Sequence, residues 1–237
     1  MPEPSQREGA ADPAYRLVDV IRIYREEDVE TVALRGIDLA IGRGDFVAVM
    51  GRSGSGKSTL LNLLAGADRP TAGKVWFGEH DLARVDEAER AGLRGRQIGI
   101  VFQSHNLLPI LSLEENVALA MALAGRRSSA NEARNHLTRV GLAGRAGHRP
   151  EELSGGEQVR GALACVLAAE PSVVLGDELT GELDTASADA VLEVVGNIHV
   201  ALGTTIVLAT HDPTVAARAA RTIELRDGRI VDDRPAS

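Results

Sequence analysis

The stretch GRSGSGKST, Gly51–Thr59, constrains this chain more than any other. It fits the phosphate-binding pattern G-x-x-x-x-G-K-[ST], with Gly51, Gly56, Lys57 and Ser58 at the specified positions. The apolar run Phe46–Met50 precedes it, and TLLNLLAG follows with leucines at helical spacing, so a strand, a glycine loop and a helix are expected in that order. Backbone N–H groups in such a loop form a concave nest, and the helix start adds partial positive charge. Without a Cβ, glycine lets the amides approach a phosphate closely. Arg52, Ser53, Gly54, Ser55 and Thr59 complete the loop. Lys57 is expected to reach the β- and γ-phosphates and the Ser58 hydroxyl to ligate Mg²⁺, which predicts binding of a nucleoside triphosphate.

The bulk numbers set limits on partners. At 237 residues the chain is long enough for one sizeable α/β domain with a subdomain. A net charge of −8 argues against an extended electrostatic footprint for nucleic acid or for an anionic membrane. The lone Cys165 excludes an intrachain disulfide framework and suits a reducing cytosol. No apolar run approaches the roughly 18–20 residues that span a bilayer. The opening MPEPSQREGAADP has no apolar segment and does not resemble a signal peptide. Any membrane role is therefore expected to come through a partner.

Taken in order, residues 1–14 read as a disordered tail and 15–235 as a single domain. YRLVDVIRIY, TVALRGIDLAI and DFVAVMG read as consecutive strands of a small, largely antiparallel sheet feeding the loop. Residues about 88–155 read as a mostly helical insertion between α/β halves, with Ser112 and Glu115 in capping-box spacing. Ser154 and Glu157 repeat that spacing at the head of a helix that ends before Pro171. TASADAVLEVVGNIHVALG is an amphipathic helix, and Asp227-Gly228 signals a type I′ hairpin.

FVAVM-Gly51, IGIVF-Gln103, SVVLG-Asp177-Glu178 and TIVLAT-His211 share one form. Each is a continuous apolar run, as expected of a parallel strand buried on both faces, and each ends in glycine or a polar residue. In open α/β sheets ligands bind beyond the carboxyl ends of the strands, so these segments are expected to converge on one phosphate. Asp177 fits a carboxylate that holds Mg²⁺ through water, and Glu178 a base for the water attacking the γ-phosphate. Gln103 is a candidate for the metal or that water, and His211 for a donor to the γ-phosphate. No spacing of His, Cys and acids suggests zinc.

LSGGEQ, Leu153–Gln158, lies between the phosphate loop and the VVLGDE strand and resembles the signature of ABC-type ATPases. With it, the chain from about Leu17 to Asp233 resembles an ABC transporter nucleotide-binding subunit. Gly51–Thr59 matches the Walker A loop, Gln103 the Q-loop, Val173–Glu178 the Walker B strand, Gly181–Asp184 the D-loop and His211 the switch histidine. The resemblance implies a P-loop NTPase fold: a RecA-like, mostly parallel α/β core with an N-terminal antiparallel β-subdomain and an α-helical subdomain. It implies a homodimer on ATP binding, with ATP between the loop of one subunit and Ser154, Gly155 and Gly156 of the other, and Asp184 beside it. Those signature amides open a helix, so they form a second anion site. Tyr24 matches the position at which the family stacks adenine; a half-exposed sheet tyrosine is the other reading.

ALRGIDLAI, VFQSHNLLPILSLEENVAL, LTGELD and THDPTVAARAARTIELRDGRIV resemble the lipoprotein-release, macrolide-export and cell-division branch (LolD, MacB and FtsE). The resemblance implies a Mg²⁺-dependent ATPase energising an integral membrane permease of four helices with a large extracytoplasmic domain. It implies a cytoplasmic protein held peripherally at the inner face of the membrane. A slow ATP-dependent regulator or recruiter at the membrane is the alternative; nucleic-acid partners are not expected. Several residues depart from the branch: Leu179 for proline, Glu182 for asparagine, Gly176 for alanine, and Gly161 and Cys165 within the signature helix. None removes a phosphate ligand or the base.

Overall fold

The computed structural model describes residues 13–235 apart from Asp28 and His105. The expected tail over 1–14 thus falls largely outside the described residues, although Ala14 is buried and its carbonyl accepts from the Gly78 amide.

Strands β1 (Tyr15–Glu26), β2 (Val29–Ile41), β4 (Ala72–Phe77) and β5 (His80–Asp81) form an antiparallel sheet in the order β2-β1-β4-β5. Strands β3 (Phe46–Met50), β6 (Ile98–Val101), β7 (Val173–Asp177), β8 (Thr205–Thr210), β9 (Arg221–Arg226) and β10 (Arg229–Pro235) form the second sheet, ordered β10-β9-β3-β8-β7-β6. It is parallel except for the β9–β10 hairpin. β3 therefore does not join β1 and β2, as its place in the chain suggests; β4 takes that position. The reason is burial: β2 alternates between buried and open positions towards its end, whereas β3 is apolar on both faces and needs cover on both.

That cover is divided by side-chain parity. Phe46 and Ala48 of β3, with Ile206 and Leu208 of β8, face one core shared with the helices α3 (Leu113–Leu123), α4 (Ala130–Arg139), α5 (Gly155–Ala168) and α6 (Thr185–Leu202). Val47 and Val49, with Val207 and Ala209, face a second core shared with α1 (Lys57–Leu64) and the antiparallel sheet. The short helices α2 (Glu87–Arg96) and α7 (Pro213–Ala216) lie at the margins. β6, expected from IGIVF as a buried parallel strand, pairs with β7 and so joins the second sheet within the mostly helical stretch over about 88–155.

Two of the departures from the family pattern fit each other. A Cβ on Gly176 would lie 2.7 Å from Leu208 Cδ2 and 2.8 Å from Leu179 Cδ1. Leu179 is buried in the helical-side core, so the glycine clears the space that the leucine fills. Gly176→Ala is expected to cost about 1–3 kcal/mol by overpacking. In a denaturant-unfolding double-mutant cycle with Leu179→Ala, the alanine at 176 should cost markedly less, whereas additive costs would contradict the pairing.

The β9–β10 turn is as its sequence requires, with Asp227 at φ 48° and Gly228 at φ 75°, both positive as in type I′. The hairpin is pinned by Arg221, whose Nε and Nη2 each reach the Asp233 carboxylate at 2.7 Å while Nη1 donates to the Ala40 carbonyl. The Arg221 bonds hold Asp233 below its ordinary value of 3.8. The folded chain then binds fewer protons there than the unfolded one, so the pair's contribution is present above that ordinary value and lost as pH falls through the lower folded one. Asp233→Asn should flatten the acid limb of a urea-midpoint profile below that ordinary value; an unchanged profile would contradict the assignment.

Candidate functional site

The parallel register brings the ends of the buried strands to one edge. Met50 of β3 pairs with Thr210 of β8, Ala209 with Asp177 of β7, and Gly176 with Val101 of β6. The next residues along each strand are Gly51, His211, Glu178 and the Phe102-Gln103 pair, so all emerge on the same side.

The loop between β3 and α1 is shaped for an anion. Gly56 sits at the helix N-cap with φ 106°, and no side chain caps the helix, leaving its first amides for a ligand. A Cβ at Gly56 would lie 2.7 Å from the Ala33 carbonyl oxygen, and one at Gly51 only 2.4 Å from both the Leu225 oxygen and Ser55 Oγ. The loop therefore closes against β2 and β9 only with glycine at these two positions. Above it lies a cavity of about 850 Å³, lined among others by Tyr24, Thr31, Lys57, Gln103, Glu178 and His211. Arg52, Ser53, Gly54, Ser58 and Thr59 also line it.

Lys57 is nearly buried, and its Nζ donates to the Gly51 oxygen at 2.9 Å and the Arg52 oxygen at 3.3 Å. It also lies 3.3 Å from Glu178 Oε1, while Glu178 Oε2 is 2.9 Å from His211 Nδ1. The cation, the carboxylate and the imidazole thus form one chain of contacts across the cavity floor. Glu178 reaches it through an unusual backbone. Its amide still donates to the Ala209 oxygen, extending the β7–β8 pairing, but its φ of 49° breaks the strand and redirects the side chain. Such a conformation costs a non-glycine residue of order 1 kcal/mol or more and gathers at functional positions.

Asp177 Oδ1 is buried with no hydrogen-bond partner among the described residues. An orphaned carboxylate oxygen on the residue before Glu178, together with the Ser58 hydroxyl that lines the cavity, is a donor set that would suit Mg²⁺. Among the described residues no group of three or more His, Cys, Asp and Glu forms a cage for another metal.

Other expected site residues lie apart from this cavity. Ser154 caps α5: its hydroxyl accepts from the Glu157 amide, and Glu157 accepts from the Ser154 amide. These bonds, led by the one from the Ser154 backbone and reinforced by Arg145, hold Glu157 below the usual carboxylate range. Ser154, Gly155 and Gly156 do not line the phosphate cavity of their own chain; Gly155 borders a neighbouring cleft with Gln103, Gln158 and Glu182. Asp184 uses its carboxylate to cap α6 at the Ser187 amide and hydroxyl, which lowers its pKa. Cys165 is enclosed, and burial pushes its thiol up to about 12, so it is not a reactive thiolate.

Sequence reasoning missed several contributors, among them Thr31 and Glu182. Thr31 lines the cavity because it pairs across the β1–β2 register with Tyr24, a pairing that hairpin alignment would have revealed. Glu182 accepts from Gln103 Nε2 at 3.1 Å, a contact between residues 79 apart that no local pattern signals.

Comparisons with known proteins place the chain in a family. The family model described as ABC transporter matches residues 34–181. The lipoprotein-releasing system ATP-binding protein LolD of Anaeromyxobacter dehalogenans is 46% identical over 231 residues, covering 96% of this chain and 97% of its own. The macrolide export ATP-binding/permease protein MacB of Syntrophobacter fumaroxidans is 44% identical over 218 residues; the match takes 90% of this chain but only 30% of that longer protein. A dimeric ATP-binding cassette solved in a post-hydrolysis state with ADP and Pi superposes with a TM-score of 0.88 at 34% identity, covering 94% of this chain and 99% of that one. Among the described residues no helix is long and apolar enough to cross a membrane. The chain belongs to the ABC transporter family, as an ATP-hydrolysing cassette of the LolD and MacB type.

Proposed function

We propose that this chain converts ATP hydrolysis into movement of a separate membrane permease, working as a nucleotide-sandwiched homodimer at the cytoplasmic face. The observation that carries the reading is the contact chain Lys57–Glu178–His211 on the floor of the phosphate cavity. ATP would lay its phosphates on the loop amides, with Tyr24 against the base. The γ-phosphate competes with Glu178 for Lys57 Nζ, so nucleotide arrival frees the carboxylate to accept a proton from the attacking water. His211, already oriented by Glu178, then donates to the γ-phosphate oxygens. Ser58 and Asp177, with Gln103, would hold Mg²⁺, which neutralises charge developing on the phosphates.

The signature residues fit the same scheme from the other side. Ser154–Gly156 present helix-start amides but lie outside their own chain's cavity, as expected of a half-site that serves a second copy. Asp184 at the head of α6 would stand near that interface. The net charge of −8 favours a protein partner over nucleic acid. The permease is expected to be of the four-helix kind with an extracytoplasmic domain, as the likeness to the LolD and MacB branch implies.

The test is purification from membranes with the integral proteins that accompany it, followed by ATPase assay of the assembly. A stoichiometric permease that changes the hydrolysis rate is expected. Slow hydrolysis indifferent to any membrane partner would favour the recruiter reading, and no Mg²⁺-dependent hydrolysis would overturn both.

A further inference from the structure

Tyr24 is held by a pair of residues that no motif singles out. Arg22, two positions earlier on β1, places its guanidinium carbon 4.3 Å from the Tyr24 ring centroid, within cation–π range. Its Nε donates at 2.7 Å to Asp68 Oδ2, and the same oxygen accepts from the Tyr24 hydroxyl at 2.9 Å. Arg22 and Asp68 are both largely covered, with side chains 23% exposed. Tyr24 lines the phosphate cavity and Arg22 does not, so the guanidinium rests against the ring without itself lining the cavity.

Asp68 is itself fixed. It follows α1 closely, and its amide and that of Ala67 both donate to the Asn62 oxygen of that helix. Its other oxygen accepts from the Arg69 amide at 2.7 Å. Thr71 then ties the same connection to β1, accepting from the Ile23 amide through its hydroxyl and donating its own amide to the Ile21 oxygen. The helix that begins at the phosphate loop is therefore followed, just past its end, by the residue that grips the aromatic ring, and the bonds back to Asn62 tie that residue to the helix.

We propose that Arg22 and Asp68 are positioning residues that pre-set Tyr24 as a stacking platform for the purine base of the bound nucleotide. The inference rests on the nucleotide reading given under Proposed function and extends it to the base. An unrestrained tyrosine loses rotamer freedom when a base stacks on it; a ring already clamped at its hydroxyl and against a guanidinium does not. Base–aromatic stacking draws on the π-face of the base and contributes roughly five- to 150-fold in affinity, so part of that factor should depend on the clamp.

The test compares ATP with inorganic tripolyphosphate, which has no base, by calorimetric titration of the full chain. The wild-type chain should prefer ATP. Arg22→Met and Asp68→Ala should each weaken ATP about three- to tenfold while leaving tripolyphosphate affinity unchanged. Arg22→Lys, which keeps a cation over the ring, should restore most of the loss. In hydrolysis assays KM should rise with kcat at saturating ATP retained. If Asp68→Ala fails to fold, Tyr24→Phe isolates the hydroxyl bond and should weaken ATP by about threefold alone. Equal loss for both ligands, or no loss for either, would show a merely structural role and overturn the proposal. A wild-type chain that binds both ligands equally would overturn the base platform while sparing the phosphate site; one that binds neither would overturn the nucleotide reading itself.

Discussion

Glu178→Gln is expected to lower ATP turnover about 10²–10⁴-fold while ATP still binds, because the amide cannot take the proton from water. The substitution is nearly isosteric and keeps an oxygen for Lys57 or His211, so the contact chain need not collapse. The neutral amide also loosens the bond that Lys57 makes with position 178 before nucleotide arrives. ATP affinity should therefore hold or rise slightly, and the unhydrolysed complex should accumulate as a dimer. Rapid-quench hydrolysis together with sedimentation in ATP and Mg²⁺ reads both quantities. Turnover within a few-fold of the parent would remove Glu178 from the role of base.

Lys57→Ala is expected to weaken ATP binding itself by ten- to a hundredfold or more, since a charge-assisted bond to phosphate in a nearly buried setting contributes about 1.5–3 kcal/mol. A second effect should appear without nucleotide. The Gly51 and Arg52 oxygens lose their donor, and Glu178 loses its cation. The ligand-free variant should thus unfold at lower denaturant, by about 1–2 kcal/mol. Calorimetric titration and urea unfolding measure the two losses separately, and unchanged ATP affinity would contradict the assignment of the loop. Arg at this position should not rescue, because its planar fork does not fit between loop carbonyls that receive a compact ammonium.

The contrast between these residues and the Tyr24 clamp shows what one dimension records. The strand ends were legible because β3, β7 and β8 are buried on both faces and must be apolar throughout, so the first polar or glycine residue marks the sheet edge. The glycine loop was legible because its backbone approach excludes side chains at Gly51 and Gly56. The membership of β3 was misjudged from chain order, although its own burial pattern already argued for the parallel sheet. Asp68 was not legible, since it lies in an irregular connection and acts through a side chain meeting another strand. The same holds for Gly176 and Leu179, each visible as a departure, but fitting each other only once β7 is folded against Leu208.

The central claim is that the cavity over Lys57 is half of a site, completed by the Ser154–Gly156 helix start of a second copy. Gly155 allows a direct test, since a Cβ there meets one atom closely, the Leu183 Cδ2 at 3.1 Å, which is the end of a side chain able to shift by a few tenths of an ångström, and an acid in the first turn of α5 suits the helix. Gly155→Asp should therefore leave the fold intact while setting a negative charge against the partner's γ-phosphate. The decisive measurement is sedimentation of Glu178→Gln with and without Gly155→Asp, in saturating ATP and Mg²⁺. The account predicts a dimer for the single variant and an ATP-bound monomer for the double. A double variant that dimerises as fully as the single would contradict it.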